Sequence, residues 1–242
     1  MSLQSNPVGL YQSPEPLNPK QHGELRLLNS SAFKFAKHMV SVPLMLSEMV
    51  RAASDYPLIF VTDESGQTVP NAVLGTKPGQ NKYVNKKGEW RSDCYVPAYL
   101  RRYPFVFAKH EDEQSQAQHI LCVDAKADVW TTKNDDGQLL FENGELSDTT
   151  KRALSFCTAY EKEWVLTKQF VAALTDLSLI TSQRIKLSKE DSNNKVLQGL
   201  EMIDAEAFSG LSDVDFCLLR GQGYLPAIYA QLASRQLFSR LA

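Results

Sequence analysis

The chain has 242 residues, 43% apolar and 22% charged, an ordinary composition for a folded protein with one sizeable core or two small ones. A formal charge of −2 and a pI near 6.1 argue against a nucleic-acid binder, which normally carries a basic field. No segment approaches the roughly 20 apolar residues that cross a bilayer, so no membrane span is expected.

The first residues, Met1–Pro19, are polar and contain Pro7, Pro14, Pro16 and Pro19. They lack the basic-then-apolar order of a signal peptide, which makes the cytoplasm the expected location. The prolines predict a flexible tail over 1–22. A single domain is expected over 23–242, sheet-rich in 23–142 and helix-rich in 143–242. Within it, Phe33-Lys34-Phe35-Ala36 alternates as a half-buried strand does.

Val42-Pro43 then leads into a helical pattern, with Leu46, Met49, Val50 and Ala53 on one face and Pro43 in the first turn. Tyr56-Pro57 ends it, because the residue before proline is pushed out of the α region. Leu58–Val61 reads as a buried strand, Glu64–Gln67 as a turn, and Val69–Leu74 as the returning strand. After a hairpin over Lys82–Trp90 the order repeats. Val96-Pro97 opens a short helix, Tyr103-Pro104 closes it, Phe105-Val106-Phe107 is buried, and Ile120–Val123 returns beyond a polar loop. The predicted fold class is α+β: a mostly antiparallel sheet from a duplicated strand–helix–hairpin unit, then a helical C-terminal half.

In that half, Ser147 or Asp148 caps a helix reaching about Leu177, with Ala153, Cys157, Tyr160, Trp164, Thr167, Val171 and Leu174 as its core seam. Arg184–Leu187 is a candidate strand, Lys189–Lys195 a polar loop, and Val196–Ile203 leads into the helical C-terminus. Gly221 and Gly223 are expected as helix caps, and Leu225, Ile228, Tyr229 and Leu232 as the docking face of the last helix.

Motif chemistry is sparse. Neither phosphate-loop nor dinucleotide spacing follows Gly75 and Gly79, and there is no nucleophile elbow. Cys94, Cys122, Cys157 and Cys217 have no C-x-x-C pairing and are expected as buried free thiols. His110 and His119, with Glu111, Asp112 and Glu113, either face each other across a hairpin or belong to a solvated loop; no metal site is expected. Asn134–Gly137 fails the calcium-loop test at Thr132 and Asn143. Glu161 and Glu163 do not share a helix face. The patch that suggests binding is Trp90, Tyr95, Arg101, Arg102 and Tyr103, since aromatics with paired arginines anchor interfaces and anionic ligands. Alternatively, its aromatics pack the second unit while its arginines sit on the surface.

Several ordered runs resemble the SapC family: Asn71–Gly75, Gly79-Gln80-Asn81, Gly88-Glu89-Trp90, Tyr95-Val96-Pro97, Arg101–Phe105, Leu197–Leu200, Leu211-Ser212-Asp213 and Gly223–Tyr229. The family is named for a protein associated with bacterial surface-layer systems, and the resemblance carries over no catalytic residue. A peptide-transporter permease shares the symbol, but it spans the membrane and this chain has no such segment. With the absent catalytic motifs, the aromatic–arginine patch and the missing signal peptide, the resemblance leads to the expectation of a cytoplasmic binding or accessory protein without cofactor, serving a surface-layer, export or neighbouring modification system. Its partner is expected to be a protein or a small ligand, with self-association open. The alternative is an enzyme whose site is assembled from scattered residues such as His110, His119, Glu111, Asp112 and Arg101. A third reading, an exported surface-layer subunit, lacks an export signal.

Overall fold

A computed structural model describes residues 2–3, 10–28, 32–111, 117–133, 136–186 and 196–241. The chain begins with β1 (Ser2–Leu3), β2 (Pro14–Pro16), the single turn α1 (Pro19–His22) and β3 (Arg26–Leu27). The first pass consists of β4 (Ser41–Pro43), α2 (Met49–Ala52) and the hairpin β5 (Leu58–Thr62) to β6 (Thr68–Val73). The second consists of α3 (Ala98–Arg101) and the hairpin β7 (Phe105–Glu111) to β8 (Ala117–Asp124). Four short strands follow: β9 (Trp130–Thr131), β10 (Gln138–Leu139), β11 (Phe141–Glu142) and β12 (Glu145–Leu146). The second half holds α4 (Asp148–Asp176), β13 (Ile180–Lys186), β14 (Val196–Ile203), α5 (Ala205–Ser209), α6 (Asp213–Gly221) and α7 (Leu225–Ser234).

The α+β class holds, with all main pairings antiparallel and the later half dominated by helices. The two passes do not share one sheet, however. The first hairpin lies inside a five-stranded sheet of order β13-β14-β5-β6-β4; the second lies inside a four-stranded sheet of order β1-β7-β8-β2. Between them runs α4, capped by Ser147, whose Oγ accepts from the Thr150 amide at 3.3 Å. The expected seam is buried from Cys157 to Leu174, so α4 is the shared spine.

Several elements depart from the sequence reading, each for a local reason. The segment 10–22 is ordered rather than a tail: Leu10 and Tyr11 are core, and Pro14–Pro16 pairs with β8. Prolines fit there because β2 is a sheet edge, where a missing N–H breaks no ladder bond, and Pro19 occupies the first turn of α1. Pro43 likewise closes the edge strand β4 rather than opening a helix. The Phe33–Ala36 segment is a 3₁₀ turn, since four residues of alternation are too few to fix a strand.

Val196–Ile203 is a strand, completing the first sheet with β13. Gly221 belongs to α6, and Gly223 alone adopts positive φ, at 75°. In α7 the docking stripe is Ala227, Ile228, Gln231 and Ser234, while Tyr229 stays exposed. Polar side chains win here because they complete backbone bonding. Ser234 Oγ accepts from Leu58 N at 3.0 Å, and Gln231 Nε2 donates to Leu58 O at 2.9 Å. Asp112, Glu113, Asn134, Asp135, Leu187 and the Lys189–Lys195 loop lie outside the described residues.

Candidate functional site

The turn Asn85–Gly88 brings Trp90 back against Val84, and the indole enters an aromatic wall. It stacks on Tyr83 at 6.0 Å and meets Phe33 edge-on at 5.6 Å. Its Nε1 donates to the Tyr56 hydroxyl at 3.2 Å, and that hydroxyl donates to the Tyr95 carbonyl. Burial pushes the Tyr83 phenol up to about 12, with the neighbouring Cys94 adding to the effect. Trp90 is therefore an anchored wall residue rather than a free surface ring.

Tyr95 and Arg101 belong to a different arrangement, centred on the buried carboxylate of Glu48. Its Oε1 accepts from the Tyr95 hydroxyl and the Ala98 amide, both at 2.7 Å, and its Oε2 accepts from Met45 N at 2.8 Å. The Arg101 guanidinium donates to the Tyr95 hydroxyl at 2.9 Å and lies 5.2 Å from the Phe156 ring centre. Burial, then the Glu48 charge, push the Tyr95 phenol up to about 12. Glu48 comes from the first pass; Tyr95, Ala98 and Arg101 come from the second. The carboxylate thus clasps the two units together.

Arg102 turns inward. Its guanidinium lies 4.2 Å from the ring centre of Tyr160, 4.8 Å from Tyr99 and 5.6 Å from Tyr11, beside Cys157. Burial pushes the Cys157 thiol up to about 12, against the pull of Arg102. Tyr103 packs on Phe35 and Tyr11 and donates to Asp124 at 3.2 Å. Asp124, fully buried, also accepts from Gln12 N and Ser13 N, at 3.0 and 2.9 Å, tying down the N-terminal segment. The five predicted residues therefore divide. Tyr95 and Arg101 meet at the surface, Trp90 walls a cleft, and Arg102 and Tyr103 hold the interior.

The sequence reading passed over Arg91–Cys94, the polar run between Trp90 and Tyr95. It separates two clefts of about 580 and 530 Å³. The first is walled by Phe33, Trp90 and Val96; the second gathers Lys82, Arg91 and Arg240 with Asp55 and Asp93. Arg91 holds Asp93 through two bonds of 3.2 and 2.8 Å, which keeps that carboxyl below the usual range. Asp55 is engaged by Arg51 at 3.0 Å and by Tyr95 N at 2.8 Å. Both carboxylates are thus partnered where three cations converge. Cys94 borders both clefts, and burial raises its thiol above the ordinary value. The legible signal was a run of charges wedged between two aromatic residues.

Among the described residues no group of three or more His, Cys, Asp or Glu is placed to hold a metal ion. The β7–β8 register sets Lys109, not His110, opposite His119. Cys122 and Cys157 are buried free thiols, whereas Cys94 is half-buried and Cys217 exposed.

The SapC family model matches residues 17–241, nearly the whole chain, and the chain belongs to that family. No curated protein and no solved structure matches it.

Proposed function

From membership of the SapC family and from the paired clefts, we propose that the chain is a binding or accessory protein whose ligand contacts flank Arg91–Cys94. The carrying observation is the convergence of Lys82, Arg91 and Arg240 beside a cleft walled by Phe33 and Trp90. Such a surface suits a small ligand with one anionic group and a flat apolar portion: guanidinium binds carboxylate or phosphate through its fork, and aromatic rings take the apolar part. In the cell, the protein serves a surface-layer, export or neighbouring modification system from the cytoplasm, as the family association implies.

Calorimetric titration with aromatic carboxylates and phosphates, compared with neutral isosteres, tests the reading. Selective binding of the anionic members, weakened about tenfold or more by Arg240→Ala, supports it, since the Arg91 fork is already held by Asp93. Equal responses to neutral and anionic compounds, or flat responses to all of them, overturn it. Cell fractionation tests the location separately.

A further inference from the structure

The helix α6 turns an apolar stripe away from the protein. Val214, Cys217, Leu218 and Gly221 recur at i, i+3, i+4 and i+7, all exposed, with Val214 at 78% and Leu218 at 53%. The opposite face does the packing: Leu219 is fully buried, and Phe216 meets Phe208 at 6.0 Å between ring centres. Gly221 has no intramolecular reason to be glycine. Its φ is not positive, and a Cβ there would meet open space. Gly221 ends α6, and with no side chain there it leaves room for another backbone to approach.

Two charges bear on what covers the stripe. Asp213 and Arg220 are seven residues apart, two helical turns, and therefore flank the stripe on the same side. Among the described residues, neither side chain has an ion pair within the chain. In a two-fold, antiparallel pair of α6 helices, each Asp213 faces the partner's Arg220, because an isologous contact sets residue i against j and j against i. A parallel two-fold pairing would instead put the two Asp213–Arg220 flanks on opposite sides of the contact, where they do not meet. The antiparallel pair also opposes the two helix dipoles.

We propose that α6 is the contact through which two copies of this chain associate, antiparallel, with Cys217 next to the two-fold axis. Val214 of each copy then lies against the partner's Gly221, and the two thiols approach one another. One helix from each copy makes a small interface, so the dimer is a reversible one.

The test uses the full chain at several concentrations, with analytical ultracentrifugation and mild oxidative cross-linking. The expected results are a mass rising toward twice 27.2 kDa with concentration and an interchain disulfide that survives Cys94→Ser and disappears in Cys217→Ser. Arg220→Glu should weaken association about tenfold or more, since it sets like charges together, and adding Asp213→Lys should restore it. Asp213, Cys217 and Arg220 are exposed and Cys94 is half-buried, and unchanged thermal unfolding of each variant verifies that folding is intact. A monomer at every concentration without a Cys217 cross-link overturns the proposal. So does a dimer that ignores Arg220→Glu.

Discussion

The two passes share a backbone order and differ in chemistry at the same place in it. Before Tyr56-Pro57 stands Asp55; before Tyr103-Pro104 stands Arg102. Asp55 remains near the surface, satisfied by Arg51 and by an amide of the second pass. Arg102 lies inside, satisfied in large part by aromatic faces. The first pass supplies acceptors, Glu48 and Asp55, and the second supplies the donors that reach them. A repeated backbone order therefore need not repeat a function. Here the two units are complementary halves of one joint.

Breaking the second pass at its buried charge should have the largest effect. Arg102→Ala removes a guanidinium held by three rings and leaves a cavity, and should cost about 3–5 kcal/mol in urea unfolding. A loss below about 1 kcal/mol would mean that the tyrosine cage is loosely packed. Glu48→Ala strands the Met45 and Ala98 amides and the Tyr95 hydroxyl, and should cost about 2–4 kcal/mol. Hydrogen exchange should then rise first at Ala98, marking the joint between passes. Asp55→Asn keeps an acceptor but loses the charge, and about 1 kcal/mol is expected from the same unfolding measurement.

The smallest effect concerns pH. In the first-pass turn, the Ser65 hydroxyl and then the Gln67 amide hold the Asp63 carboxyl below its ordinary value. Stability from this depressed group is present above the usual aspartate pKa of about 4 and is lost as pH falls through the lower, folded value. Asp63→Asn should remove that acid-limb dependence, read by NMR titration of the turn amides. A turn that titrates identically in the variant would refute the assignment.

What was legible follows from how local each signal is. The spine α4 is written in its own residues, by the Ser147 cap and a seam spaced by four and three. Both hairpins are legible for the same reason, but their separation into two sheets depends on which strands arrive at the edges. The β14 strand carries Gly199 at φ 72°, which interrupts the period of two and hid it. Asn143-Gly144, both at positive φ, is a strong two-residue hairpin signal that links β11 to β12. The docking face of α7 was legible at Ile228, with Leu225 and Leu232 packed beside it, and wrong at Tyr229; hydrophobicity cannot reveal that Gln231 and Ser234 bond to Leu58. At the candidate site, residue type marked Trp90 and Tyr95 as anchors. Burial of Arg102 was illegible because two walls of its cage, Tyr11 and Tyr160, lie far from it in sequence, and only Tyr99 is a near neighbour. The second cleft was equally hidden, since Lys82 and Arg240 meet only after folding.

The place of β5 in its sheet has a consequence for biosynthesis. Its neighbour β14 is made about 130 residues later, and the α7 side chains that bond to Leu58 come later still. At usual translation rates that delay is on the order of ten seconds. Throughout it, the nascent β5–β6 hairpin presents an open strand edge to whatever is nearby. Slowing or speeding synthesis of residues 63–195 would lengthen or shorten that exposure, so the yield in cells is expected to respond to the synthesis schedule as well as to final stability.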